Sequence, residues 1–383
     1  MQNFRVIKTD QKSKARRGIL TTTHGKIQTP FFMPIATAGA VKTITPEEVK
    51  ECGAQIILSN TYHLMLRPGM PVIRKAGGLH KFMNWPGPIL TDSGGYQVFS
   101  LSKIRKIKDN GVEFQSHLDG SKHLLTPEKA IKIQETLNSD IMMVLDECPR
   151  YPTSRDYAKE SMNLTTKWAL RCKIYHQRSK IGDQRSKNLL FGIVQGSVYK
   201  DLRIKHAKEL AKICFDGYAI GGLAVGEPIE KMYQVLDWVV PELPEDKPRY
   251  LMGVGKPEQV VEAVKRGVDM FDCVIPTRNA RHGLLYKFSA KGGWASGPKR
   301  QKAKGKVAIK KAKFYEEIRI QKSQFRLDMK PVDPFCECEL CQNYSRAYLR
   351  HLFMSNEPLA LRLATLHNIS FYLRLMELIR ENI

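Results

Sequence analysis

Short apolar runs and helical stretches alternate along most of this chain. Pro30 to Ala36 is a strand candidate, and Thr45-Pro46-Glu47-Glu48 then reads as a capped helix start with proline at its first position. Gln55 to Ser59 follows and ends in Asn60-Thr61-Tyr62-His63; Pro88 to Thr91 ends in Asp92-Ser93-Gly94-Gly95. Residues 104–125 alternate polar and apolar positions around Asp109-Asn110-Gly111 and Asp119-Gly120, the pattern of an inserted β-hairpin. Thr126-Pro127-Glu128 opens an amphipathic helix through Leu137, and Asp140 to Leu145 is strand-like and ends in Asp146-Glu147-Cys148. A long helical pattern covers residues 154–177.

The alternation continues. Asn188 to Val194 ends in Gln195-Gly196, with a helix to about Cys214. Gly217 to Ile220 ends in Gly221-Gly222-Leu223-Ala224-Val225-Gly226-Glu227, with a helix from Ile229 to Val240. Arg249 to Met252 ends in Gly253-Val254-Gly255-Lys256, with a helix from Pro257 to Arg266. A last strand around Met270-Phe271-Asp272 should bury Met270 and Val274 and close in a turn, because Pro276 cannot continue a central ladder. Ahead of all these, Gly18 to Thr29 reads as a hairpin. Strands alternating with helices predict parallel βαβ units, and eight strand candidates are the number that closes a (β/α)8 TIM barrel.

The strand ends carry the chemistry. One strand ending in a polar residue means little. Asp92, Asp146, Gln195, Gly222 and Asp272 all end strands, and in a barrel such ends share one rim and build a polar pocket. Arg278 and Arg281 follow Asp272 closely; they either hold an anionic substrate or are solvated surface charges.

Composition adds a partner. The 383 residues carry 62 Lys and Arg against 38 Asp and Glu, a formal charge of +24 that favours a polyanion such as nucleic acid. The first residues lack the apolar core of a signal peptide, no apolar run is long enough to cross a bilayer, and five of the eight cysteines are scattered among apolar segments as reduced thiols usually are. A cytoplasmic protein is expected, with no membrane partner. The other three cysteines form Cys336-x-Cys338-x-x-Cys341, with His367 downstream on a helical segment. Three thiolates and an imidazole fill a tetrahedral Zn2+ shell and leave no position for water, the mark of a structural site. His351 reads as a surface residue.

Taken in order, Asp92-Ser93-Gly94-Gly95-Tyr96-Gln97, Gly192-Ile193-Val194-Gln195-Gly196, Gly221 to Glu227, Phe271 to Arg278 and the cysteine cluster resemble the tRNA-guanine transglycosylases, also called queuine tRNA-ribosyltransferases. The resemblance covers nearly the whole chain. It implies a TIM barrel with an inserted zinc-binding subdomain, and an enzyme of queuosine biosynthesis that exchanges the wobble guanine of GUN-anticodon tRNAs for a 7-deazaguanine. By the same resemblance Asp272 is the nucleophile and Asp92 the general acid/base. Asp146, Gln195, Gly222 and Leu223 read the base, and Tyr96 and Met252 sandwich it. Cys148 and Val225 match bulky bacterial-type pocket residues, which favours 7-aminomethyl-7-deazaguanine (preQ1) over queuine. Lys256, Arg278 and Arg281 are tRNA contacts, Cys336, Cys338, Cys341 and His367 hold one Zn2+, and the family forms homodimers near Tyr344, Tyr348 and His351, residues that could equally pack within their own chain.

The expected division is 1–287 barrel with its hairpins, 288–334 basic insertion and linker, and 335–383 zinc subdomain with the C-terminal helix. Between Tyr286 and Cys336 the chain is longer than the family pattern, with Gly292-Gly293-Trp294, the run Lys299 to Lys306, and a second extra piece near Ile318 to Lys330. The lysine run is either a solvated insertion or an added tRNA contact. Two other classes stay in view: an RNA-binding protein without catalysis, and a barrel glycoside hydrolase using the same carboxylate pair.

Overall fold

Eight parallel strand positions close into a ring in the computed structural model. They are β1 (Phe31–Met33, continued by Ile35–Ala36), β2 (Ile57–Ser59), β3 (Ile89–Thr91), β4 (Ile141–Met143), β5 (Leu189–Val194), β6 (Gly217–Ile220), β7 (Arg249–Leu251) and β8 (Met270–Asp272). Pro34 has no N–H to give to a ladder, so it divides the first strand and the sheet counts nine segments. The ring still closes there. Phe31–Met33 pairs with β8, Ile35–Ala36 pairs with β2, and the Pro34 carbonyl accepts from the Leu58 N–H at 3.0 Å. Every residue of β2 to β8 is buried, which is why these strands read as continuous apolar runs without alternation. The structure describes residues 3–101, 105–182, 188–289 and 314–383; Gly292-Gly293-Trp294 and the lysine run lie outside the described residues.

Helix starts follow local chemistry. Thr45 and Glu48 form a reciprocal capping box, and the Thr126 hydroxyl caps the Pro127–Leu137 helix. The insertion expected as a hairpin has one strand more: Arg105–Lys108, Gly111–Gln115 and Lys122–Leu125 form a three-stranded antiparallel sheet.

A second three-stranded sheet, Phe4–Thr9, Arg16–Thr22 and Gly25–Thr29, covers the N-terminal end of the barrel. Two aspartates that immediately precede barrel strands anchor it. Asp269, before β8, takes the Arg16 guanidinium at 3.0 and 2.6 Å. Asp140, before β4, accepts from the His24 and Ile89 amides, both at 3.0 Å, and from the His24 and His80 rings at 2.9 and 3.1 Å. His24, His80 and Asp140 are also close enough together to hold a metal ion. The two imidazoles, however, stack at 3.7 Å with planes 20° apart. Nearly parallel rings cannot aim both lone pairs at one point, so the hydrogen-bonded clamp accounts for this trio.

The end of the chain closes the barrel late. After β8, Ile275–Arg281 forms a short helix with Pro276 in its first turn, where a missing N–H costs nothing. The turn expected at Pro276 is therefore a helix start, and Val274, expected to be buried, sits at its N-cap with 40% exposure. The chain then leaves the barrel. Leu284–Phe288 pairs with Tyr315–Arg319, so the second extra piece, near Ile318 to Lys330, takes in the end of this strand and a single 3-10 turn at Ser323–Phe325. With the helices Glu339–Asn343 and Arg346–Met354 it builds a small core of its own around Leu285, Ile320, Val332 and Leu349. Pro358–Asn382 returns as the closing helix. Tyr372 on it donates to the Gly255 carbonyl at 2.5 Å and Arg380 to the Pro30 carbonyl at 2.7 Å. The appendage is thus inserted between the last strand and the last barrel helix.

Candidate active site

The strand ends meet as expected, on the C-terminal rim of the ring. Asp92 follows β3, and its Oδ1 accepts from the Thr61 and Gly94 amides at 3.0 and 3.1 Å while the Asn60 carboxamide donates to Oδ2. Asn60 is itself held, because its side chain caps the Thr61–Leu66 helix through the His63 amide. These donors favour the ionised form, but burial opposes it more strongly. The nearby Asp272 and Asp146 charges oppose it too, and the Asp92 carboxyl is pushed up to about 7.

Asp272 ends β8. Both of its donors among the described residues fall on one oxygen: Tyr250 O–H at 2.6 Å and Gly253 N–H at 2.8 Å reach Oδ1, and Oδ2 stands outside these bonds. Burial raises the Asp272 carboxyl above its ordinary range. Gly253 has φ +72°, which lets its N–H turn toward the carboxylate.

Across the ring, Gln195 Nε2 donates to Asp146 Oδ2 at 2.7 Å and Ser93 Oγ donates to Oδ1 at 3.4 Å. Burial pushes Asp146 up to about 6. Gln195 Oε1 is buried with no partner among the described residues. A Cβ on Gly222, at φ +62°, would lie 2.3 Å from that oxygen, so only glycine fits there. The result is a pocket wall with a carboxylate, a free carboxamide oxygen and close backbone, equipped to hydrogen-bond the edge of a planar heterocycle.

The other expected contacts also lie on segments that follow barrel strands. Tyr96, about half exposed, stands on the Gly95–Leu101 helix; Met252 and Cys148 are half-buried after β7 and β4; Leu223 is buried and Val225 half-buried after β6. Lys256 is exposed at the start of the Pro257–Lys265 helix. Arg278 is exposed and Arg281 half-buried, three residues apart on the helix after β8 and so on one face. Burial, with the Arg278 charge beside it, lowers the Arg281 guanidinium below its ordinary range.

Sequence reasoning missed the groups that hold this wall in place. Arg203, fully buried, donates to the carbonyls of Ser197, Val194, Gly221 and Gly222 at 2.6–3.2 Å. His206 Nδ1 accepts from the Gln195 amide at 2.8 Å, and burial drives its basicity down to about 3, so it is neutral. Glu227 accepts from the amides of Ala224 and Val225 at 2.6 and 3.0 Å and pins the loop after β6. A polar or charged residue on the apolar stripe of a helix (Arg203, His206) is the one trace of these roles in the sequence.

At the appendage, the ligand atoms of Cys336, Cys338, Cys341 and His367 all lie within 4.8 Å of one another. His367 Nδ1 is 3.5 Å from Cys338 Sγ and 3.3 Å from Cys341 Sγ. A tetrahedron with bonds of about 2.3 Å to sulfur and about 2.0 Å to nitrogen has such edges of about 3.5 Å. The other ring nitrogen, Nε2, donates to the Tyr286 carbonyl at 2.7 Å, which leaves Nδ1 free to ligate. The four residues fit a metal ion. His351 is exposed and outside the cluster, as expected.

Residues 10–383 match the family model described as queuine tRNA-ribosyltransferase. A protein of that name from Thermoanaerobacter pseudethanolicus is 55% identical over 380 residues, 99% of this chain and 93% of the relative. Namesakes from Caldanaerobacter subterraneus (55%; 99% of this chain, 93% of the relative) and Halothermothrix orenii (53%; 99% and 92%) are similarly close.

The raised Asp92 carboxyl gives a test of the site's electrostatics. The folded protein keeps this proton to higher pH than the unfolded chain does. The stability linked to it is therefore full below the unfolded value near ~4 and is lost as pH rises through about 7. Asp92→Asn removes that dependence. Urea unfolding at pH 5 and pH 8 should show the variant gaining about 1–3 kcal/mol relative to the unsubstituted protein over that interval. A difference that stays flat with pH would contradict the assigned electrostatics.

Proposed function

This chain belongs to the queuine tRNA-ribosyltransferase family and is a tRNA-guanine transglycosylase, and on that premise we propose that it replaces the wobble guanine of GUN-anticodon tRNAs with preQ1 by double displacement. The single observation that carries this reading is the pairing of Asp272, held by one oxygen, with Asp92, whose carboxyl is pushed up to about 7. One suits a nucleophile and the other a proton carrier at neutral pH.

In the proposed reaction the target base is splayed out of the anticodon loop, because chemistry at a stacked nucleotide is otherwise out of reach. Tyr96 and Met252 stack on the base. Asp146, Gln195, Leu223 and the Gly222 backbone take its edge. Asp272 Oδ2 closes on the anomeric carbon as the bond to guanine breaks, and Asp92 delivers a proton to the departing nitrogen. The incoming base then gives a proton to Asp92 and displaces the carboxylate. Two displacements restore the configuration at the sugar, with ping-pong kinetics. Cys148 and Val225 narrow the pocket beside the deazaguanine substituent and suit the small aminomethyl group. Lys256, Arg278 and Arg281 neutralise anticodon phosphates.

The metal at the Cys3His cluster is proposed to be one structural Zn2+ per subunit. Its role is to pin the appendage to the closing helix Pro358–Asn382, which carries His367 and returns to the barrel. A homodimer is proposed through the appendage, where Tyr344 and Tyr348 stack at 5.2 Å and Tyr348 and His351 are exposed. No described helix is long and apolar enough to cross a membrane, and a cytoplasmic setting is proposed.

Labelled-guanine exchange into tRNA tests the chemistry. Asp272→Asn should lower incorporation by about 10^4-fold or more while tRNA is still bound. Incorporation that survives the substitution, or hydrolysis of free guanosine in place of exchange, would count against the proposal. For the metal, elemental analysis should find zinc and protein in equal amounts, and chelation should lower the unfolding temperature. A protein whose melting is indifferent to chelation would sink the structural role.

A further inference from the structure

β4 ends at Met143, yet Asp146 lies three residues beyond it, past the last hydrogen bond to the sheet, from Val144 N–H to Phe191. A base-reading carboxylate on a free loop would swing. Here the loop is held by side chains of the Arg155–Gly182 helix. Thr165 Oγ1 accepts from the Glu147 N–H at 3.1 Å, Ser161 Oγ donates to the Glu147 carbonyl at 3.0 Å, and Tyr157 O–H donates to the Glu147 carboxylate at 3.1 Å. The spacing 157, 161, 165 is i, i+4, i+8, so these hydroxyls line up along one face of the helix. Just before Asp146, the Leu145 N–H meets Cys172 Sγ from the same helix at 3.5 Å.

Serine and threonine inside a helix usually turn back to the carbonyl four residues earlier. The neighbouring Thr166 does so, to Met162 at 3.1 Å. Ser161 and Thr165, both buried, reach out instead to the carbonyl and the N–H of one residue, Glu147, and so hold the peptide units on either side of its Cα. Glu147 directly follows Asp146, so its placement sets how the carboxylate meets Gln195.

We propose that Ser161 and Thr165 are positioning residues for base recognition, setting affinity for the exchanging base through Asp146 and not the rate of displacement at the sugar. This rests on the reading of Asp146 given above. Neither residue touches the base. Because they hold a rigid helix against the reading loop, loosening them should blur the hydrogen-bond geometry that the base depends on.

The experiment is guanine exchange into tRNA with kcat and the KM for the base measured separately. Thr165→Val and Ser161→Ala should each raise the base KM about fivefold to tenfold, the loss expected for one misplaced hydrogen bond, with kcat at saturating base within about twofold. Thr165→Ser should restore the KM, and Thr166→Val on the same helix should leave it unchanged. A base KM unmoved by Thr165→Val and Ser161→Ala while Asp146→Asn raises it would overturn the inference and leave the reading of Asp146 intact. The inference is overturned equally if kcat falls together with the melting temperature and the KM holds, which is what a merely structural role does. If Asp146→Asn itself leaves the base KM unchanged, the reading of Asp146 fails and the inference falls with it.

Discussion

Three carboxylates, Asp92, Asp146 and Asp272, are buried on one rim of the barrel, and most of the site's architecture answers the cost of placing them there. Buried carboxylates repel and lose their hydration, so each needs fixed donors. Asn60 and two amides serve Asp92, Gln195 and Ser93 serve Asp146, and Tyr250 with the Gly253 amide serves Asp272. The donors leave the cost of burial only partly offset, and the carboxyls of Asp92 and Asp146 remain at about 7 and about 6. That imbalance is useful in the proposed reaction. A carboxyl near neutrality gives and takes a proton with little loss either way.

The barrel separates this strained rim from the parts that stabilise the fold. At the opposite end, Asp140 and Asp269 have full sets of donors and tie the N-terminal sheet to the strands. At the rim, by contrast, the Gln195 carboxamide oxygen is buried without a partner among the described residues. The appendage enters after β8 and the closing helix returns from it. His367 and Asn368 stand on that helix, and they bond the Tyr286, Pro276 and Leu284 carbonyls, so the Cys3His cluster and the strand that follows the Ile275–Arg281 helix share one anchor.

Much of this was legible in the sequence because its signals are local. Strand ends in Asp92, Asp146, Gln195 and Asp272, the Thr45 cap, and the cysteine spacing need no knowledge of distant residues. Pro276 was misread because a proline that breaks a strand also starts a helix, and the sequence before it does not say which. The helices Thr61–Leu66, Met70–Ala76 and Leu79–Met83 went unread; they are short and follow no long amphipathic period. Tyr250, Arg203, His206 and Glu227 stayed invisible for a different reason. Tyr250 meets Asp272 only once the barrel closes, and the partners of Arg203, His206 and Glu227 are backbone groups, which carry no mark in the sequence.

The account depends on Asp272 Oδ2 being the atom that meets the sugar. Incubating the enzyme with an anticodon stem-loop, removing released guanine, and mapping the denatured adduct by mass spectrometry tests this directly. The account predicts a ribose ester on the peptide that holds Asp272, absent in Asp272→Asn. An adduct on any other residue, or none at all under conditions where guanine is released, would contradict it.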